Sequence, residues 1–162
     1  MISRAALRWS SQFATATGLV LTLTACGQFT DATSDAREKA AQDARNGARH
    51  AQETVAEVLR GPLRGERLQT RAQEAVKNLW SDAVVSGRLI SDDRVAVDLA
   101  ITGYGVSGGG LDKGQANVWL CVRLEGSAGP TPEVDLKDTP CPPGLPEQNG
   151  HGPIEGVVGV DE

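Results

Sequence analysis

Between residues 35 and 60 the small and apolar side chains of Ala36, Ala40, Ala44, Ala48, Ala51, Val55 and Leu59 recur every three or four positions, the spacing of one helix face. This predicts an α-helix over residues 35–60, capped by Asp35 with Glu38 three residues on, supported by the Asp35/Lys39 pair and stopped at Gly61-Pro62. A second helix is expected after Pro62, with Leu68, Ala72, Val76 and Leu79 on one face. Beyond Trp80 the pattern changes to strict alternation. Val95, Val97, Leu99 and Ile101 alternate with Arg94, Ala96, Asp98 and Ala100, and Val118, Leu120, Val122 and Leu124 alternate with Trp119, Cys121, Arg123 and Glu125. These read as two half-buried strands. Residues 84–90 form another β-rich run, joined to the first of these strands through Ser91-Asp92-Asp93. A short fourth strand is expected at residues 133–137, after a turn-rich stretch at 127–132.

No helical crossover separates these strands, so the sheet is expected to be an antiparallel meander of three to four strands. Helices first and strands afterward predict an α+β domain over residues 35–141, with a helix or helix pair packed on one face of the sheet. The element order resembles cystatin-like and NTF2-like folds, where a curved sheet wraps a helix; the likeness is one of order alone and implies no activity. A buried alanine methyl contributes only about 0.8 kcal/mol, against about 1–2 kcal/mol for ordering a residue's backbone. The alanine-striped helix therefore needs a surface to lie on: the sheet, the second helix or another chain.

Residues 103–108, Gly-Tyr-Gly-Val-Ser-Gly, match G-x-G-x-x-G directly after a strand. In a dinucleotide site that pattern opens a helix whose N-terminal amides hold a pyrophosphate. Here more glycines follow, Gly109, Gly110 and Gly114, and then a strand, so residues 103–114 are expected to form a mobile hairpin loop. Tyr104, Val106 and Leu111 make it a candidate binding loop. His50 falls in the first helix and His151 in the C-terminal stretch, which leaves the sheet without a histidine base. Asp92 and Asp93 in the turn and Asp98 on a strand's polar face read as solvated carboxylates, and Trp80 and Trp119 as packing residues. Neither a metal site nor a cofactor is expected. Residues 142–162 are rich in Pro and Gly without a sustained period and are expected to be a flexible tail, with an edge strand at Val157, Val158 and Val160 as the alternative.

At the other end, Arg4 and Arg8 precede an uncharged run from Phe13 to Leu23. It is too short to span a bilayer, which takes about 20 apolar residues, and has the form of an export signal. Its last residues, Leu23-Thr24-Ala25-Cys26, resemble the lipobox of bacterial lipoprotein precursors. The resemblance implies cleavage after a signal peptide of residues 1–25, a diacylglycerol thioether on Cys26 and a tether over residues 26–34. It places the protein on the outer face of the cytoplasmic membrane, with the membrane as its first partner through two acyl chains, enough for stable anchoring.

Cleavage there would remove two of the sixteen basic residues and leave fourteen against twenty-one acidic ones, a net charge of −7. That balance disfavours nucleic acid as a partner. Of the three cysteines, a lipidated Cys26 leaves Cys121 and Cys141 for a disulfide, in keeping with an oxidising compartment. The expected function is a small binding or interaction module at the cell envelope, for a small ligand or an envelope protein. A structural or assembly accessory is the alternative; a small hydrolase or cofactor enzyme lacks a visible nucleophile–base pair. Lipidation has a direct check: in detergent-phase partitioning the exported wild type should enter the detergent phase and Cys26→Ser the aqueous phase.

Overall fold

A computed structural model of the chain describes residues 24–110 and 113–161, with side chains from Ala32 onward. Residues 1–23 of the expected signal peptide, the Cys26 side chain and Leu111 lie outside the described residues. Helix α1 spans Thr24–Leu59 and α2 Gly65–Lys77, followed by strands β1 (Val84–Ser91), β2 (Arg94–Ser107), β3 (Gly114–Ser127) and β4 (Val134–Asp138). The four strands lie in the order β1-β2-β3-β4, each antiparallel to the next. Both helices pack on one face of this sheet, giving the α+β architecture. α1 reaches further upstream than the alanine stripe suggests, so residues 26–34, expected as a tether, are helical. Asp35 consequently sits inside the helix rather than capping it, and its carboxylate accepts from Ser107 Oγ at 3.4 Å.

The core lies between the helices and the inward face of β2 and β3. Leu59, Leu68, Leu99, Leu120 and Leu124 are its largest fully buried side chains. At one end of the sheet, however, the contact with α1 has almost no side-chain thickness. A Cβ placed on Gly105 would stand 2.5 Å from the Ala40 amide nitrogen, and one on Gly103 2.8 Å from that of Ala44. One on Gly114 would stand 2.7 Å from the Ala32 carbonyl carbon. The helix backbone thus rests on the strand backbones, with Ala36, Ala40 and Ala44 closing the space between them. Gly103 and Gly105, expected in a loop, belong to β2, which pairs with β3 as far as Ser107 and Gly114. The chain between these two strands is thus residues 108–113, shorter than the expected 103–114.

Close approach also lets polar side chains beside the alanine stripe reach the strand edges. Asp43 accepts the Tyr104 amide at 3.1 Å and Lys39 donates to the Val106 carbonyl at 3.3 Å, where β2 runs on past β1. On the far side Gln52 donates to the Val134 carbonyl of β4. α2 does the same for β1, whose Val85 and Gly87 carbonyls accept from Gln73 and Gln69. Edge groups that could template pairing with another chain are thereby occupied.

Residues 142–162 are expected as a flexible tail; the described part, through Asp161, instead packs on the sheet. Three short strands follow β4: β5 (Gln148–Asn149) and β6 (Gly152–Pro153) form a hairpin, and β7 (Val157–Val158) pairs in parallel with Trp119 and Leu120 of β3. The edge-strand alternative is therefore the one realised, and β7 makes the sheet mixed rather than wholly antiparallel. The reason lies in backbone pairing. Trp119 N–H donates to the Gly156 carbonyl and Glu155 N–H to the Asn117 carbonyl, both at 2.8 Å. Leu145 and Ile154 cover Trp119 on the sheet's outer face, where the indole Nε1 donates to the Pro146 carbonyl. Cys121 and Cys141 form the disulfide anticipated from the cysteine count, with Cα atoms 5.2 Å apart. Closing that loop is worth about 3 kcal/mol in the chain-entropy model.

Three stability measurements test this packing. Gly105→Ala should lower unfolding free energy by about 3 kcal/mol or more, because the added methyl meets helix backbone rather than a movable side chain. Gly109→Ala, with nothing within 4 Å, should stay within about 0.5 kcal/mol of wild type in urea denaturation. Truncation after Pro143 should cost about 2–4 kcal/mol through the apolar cover lost from Trp119, with a red shift of tryptophan emission; an unchanged melting transition would mean that the tail is dispensable.

Candidate functional site

Because β1 has eight residues and β2 fourteen, β1 begins opposite Ala100 and, among the described residues, leaves 101–107 of β2 without a strand neighbour on that side. A cavity of about 230 Å³ occupies the first part of this vacancy. Its walls are Trp80, Asp82 and Ala83 from the segment leading into β1, Asp43 from α1, Ile101, Thr102 and Tyr104 from β2, and His151 from the β5–β6 turn. The Tyr104 and His151 rings are stacked, with centroids 4.5 Å apart and planes 19° from parallel. Asp43 is fixed by the Tyr104 amide, and Asp82 Oδ2 accepts from Thr102 Oγ1 at 3.4 Å. Trp80 is half-buried against the core and meets the His50 ring edge-on at 6.4 Å.

A second concavity, about 340 Å³, lies on the sheet's outer face, opposite the helices. Val84, Ala100, Pro140 and Pro142 give it apolar walls, and the Cys121–Cys141 disulfide holds the segment that closes one side. Across it Arg123 makes a two-pronged contact with Asp98, Nε to Oδ1 at 2.6 Å and the second nitrogen to Oδ2 at 3.0 Å. The hydrogen bonds it donates to Asp98 raise the Arg123 pKa above its ordinary value, so the guanidinium is cationic at every physiological pH. Asp98 and Arg123 are direct cross-strand partners in the β2–β3 register, which brings opposite charges to neighbouring positions on one face.

Of the expected binding loop, Tyr104 lines the first cavity, but from a strand. Val106 lies two residues further along β2, half-buried, with its carbonyl held by Lys39. The turn carboxylates separate in role. Asp93 accepts from Ser91 Oγ at 2.7 Å, and that hydrogen bond holds its carboxyl below the usual range, while the Asp92 carbonyl accepts the Gly65 amide. Among the described residues no three or more His, Cys, Asp or Glu gather closely enough to hold a metal ion. His151, read from sequence as a tail residue remote from the sheet, stands against Tyr104. Its placement follows from the tail's backbone pairing, which leaves no periodic mark in the sequence. Asp43 was also missed as a site residue, although its position three beyond Ala40 sets it beside the buried stripe. Compared with protein-family models, curated proteins and solved structures, the chain matches none.

Proposed function

We propose that the protein is a lipid-anchored module of the bacterial cell envelope that binds a small, mainly apolar ligand on the outer face of its sheet. The anchor is Cys26, within Leu23-Thr24-Ala25-Cys26, and the acyl chains hold the module at the outer surface of the cytoplasmic membrane. The observation that supports binding is the 340 Å³ concavity over Ala100 and Cys121, whose size falls in the range of small-ligand pockets. Apolar walls supply the driving force, and the paired Asp98 and Arg123 supply polar groups that orient a ligand without imposing a net charge on it. The disulfide keeps the Pro140–Pro142 wall in place, in keeping with an oxidising location.

Ser86 lies exposed at the rim of this concavity, beside Asp98 in the β1–β2 register, so Ser86→Trp should fill it without touching the core. The neutral dye Nile red should bind the lipid-free mature chain saturably with a blue-shifted emission. The variant should weaken this by about tenfold, the loss of roughly one side chain's worth of apolar contact, at an unchanged melting temperature. Dye binding that does not saturate, or that the variant leaves intact, would remove the outer face as a ligand site.

A further inference from the structure

The 230 Å³ cavity beside the unpaired stretch of β2 is chemically unlike the outer-face concavity. Its two carboxylates, Asp43 and Asp82, have no Lys, Arg or His nitrogen within ion-pair distance among the described residues. Each takes one hydrogen bond, Asp43 from the Tyr104 amide and Asp82 from the Thr102 hydroxyl. An ionised carboxylate offers about four lone-pair sites, so both retain acceptor capacity. The remaining walls are the Trp80 indole, Tyr104 backed by the stacked His151 ring, Thr102, and the aliphatic side chains of Ala83 and Ile101. Uncompensated negative charge, spare acceptors and aromatic side chains together are complementary to one class of ligand. A cation is attracted to the ring face and to the carboxylates, and an N–H-bearing cation can also satisfy the open lone pairs. A metal ion is a poor match, since the carboxylates and His151 are not gathered as a ligand set.

We infer that this cavity is a binding site for an alkylammonium group, seated between Asp43 and Asp82 with its carbon chain against Trp80. The volume admits an ammonium head and a few carbons. The chemistry is the same whether the group belongs to a free amine or to a lysine side chain of a peptide. Binding here is independent of the outer-face concavity, because the two cavities share no lining residue.

The experiment titrates the mature chain with n-butylammonium chloride at low ionic strength, following chemical shifts of the Tyr104 and Trp80 regions by NMR. Saturable shifts confined to the cavity are expected. Asp82→Asn should weaken binding by about tenfold and Asp43→Asn similarly, the value of a charge-assisted hydrogen bond, while the melting temperature of each stays at the wild-type value. Asp43→Asn keeps an oxygen for the Tyr104 amide, and Asp82 is exposed, so neither change threatens the fold. n-Pentanol, similar in size and uncharged, should not bind. A parallel titration with Nα-acetyl-lysine amide separates the sources: binding there too admits peptide lysines, and binding of butylammonium alone restricts the site to free amines. Absence of saturation, equal affinity in the Asp82→Asn variant, or equal binding of n-pentanol would overturn the assignment. Ser86→Trp should leave this titration unchanged, so failure of the outer-face proposal leaves it standing.

Discussion

Backbone lies on backbone where α1 crosses the ends of β2 and β3, and the rest of the architecture depends on that contact. Ala36, Ala40 and Ala44 supply methyl groups on the helix side, and Gly103, Gly105 and Gly114 supply no side chain on the sheet side. Neither residue type buries much area alone. Their value is in the separation they permit: dispersion contacts between two backbones are lost quickly when a gap opens. Leucine-sized residues on either surface would lift the helix and open the interface along its whole length. At the other end α1 carries Val55 and Leu59 against Val95, Val97 and Leu124, so the helix rests close at one end and on thicker packing at the other.

That proximity explains how the strand edges are closed. A helix standing further off could not bring Asp43 to the Tyr104 amide, Lys39 to the Val106 carbonyl and Gln52 to the Val134 carbonyl on opposite sides of one sheet. Arg45 reaches further still and donates to the Gly159 carbonyl, tying the last segment of the chain to α1. The polar residues flanking the alanine stripe therefore act on sheet edges, where solvent exposure alone would be expected from their positions on the helix.

Much of this was legible in the sequence. Periodicity located both helices and four strands because side-chain spacing is fixed by which face meets the core, and the meander followed from the lack of crossovers. Glycine was misread because it serves two unrelated purposes. Gly108 and Gly110 have positive φ of 74° and 66° and make the turn, whereas Gly103 and Gly105 remain in the strand and are needed for the absence of a Cβ. Only knowledge of what lies above a strand separates the two cases. Ala32 continues the stripe by one turn, so the early start of α1 had a signal that the charged Asp35 obscured. The tail had none: Trp119 N–H to Gly156 and Asn117 carbonyl to Glu155 are backbone pairings between distant segments, to which a Pro- and Gly-rich composition is blind. His151 and the cavity it walls were lost with it.

Both cavities trace back to unequal strand lengths. β2 and β3 are matched over fourteen residues each, while their outer neighbours β1 and β4 have eight and five. Each long strand thus extends beyond its outer partner and leaves a vacant edge. Along β3 the vacancy is filled by chain: β7 pairs with Trp119 and Leu120, and the segment between β4 and β7 must cross the outer face to get there. That crossing, pinned by Cys121–Cys141, raises a wall over Ala100 and forms the outer-face concavity. Along β2 no strand arrives among the described residues. The vacancy is met by side chains from α1, from the approach to β1 and from the β5–β6 turn, and carboxylates, aromatic rings and a hydroxyl gather there instead of a hydrogen-bonded ladder. One topological asymmetry therefore gives two surfaces of opposite character, an apolar one where the chain returns to the sheet and an acidic, aromatic one where it does not.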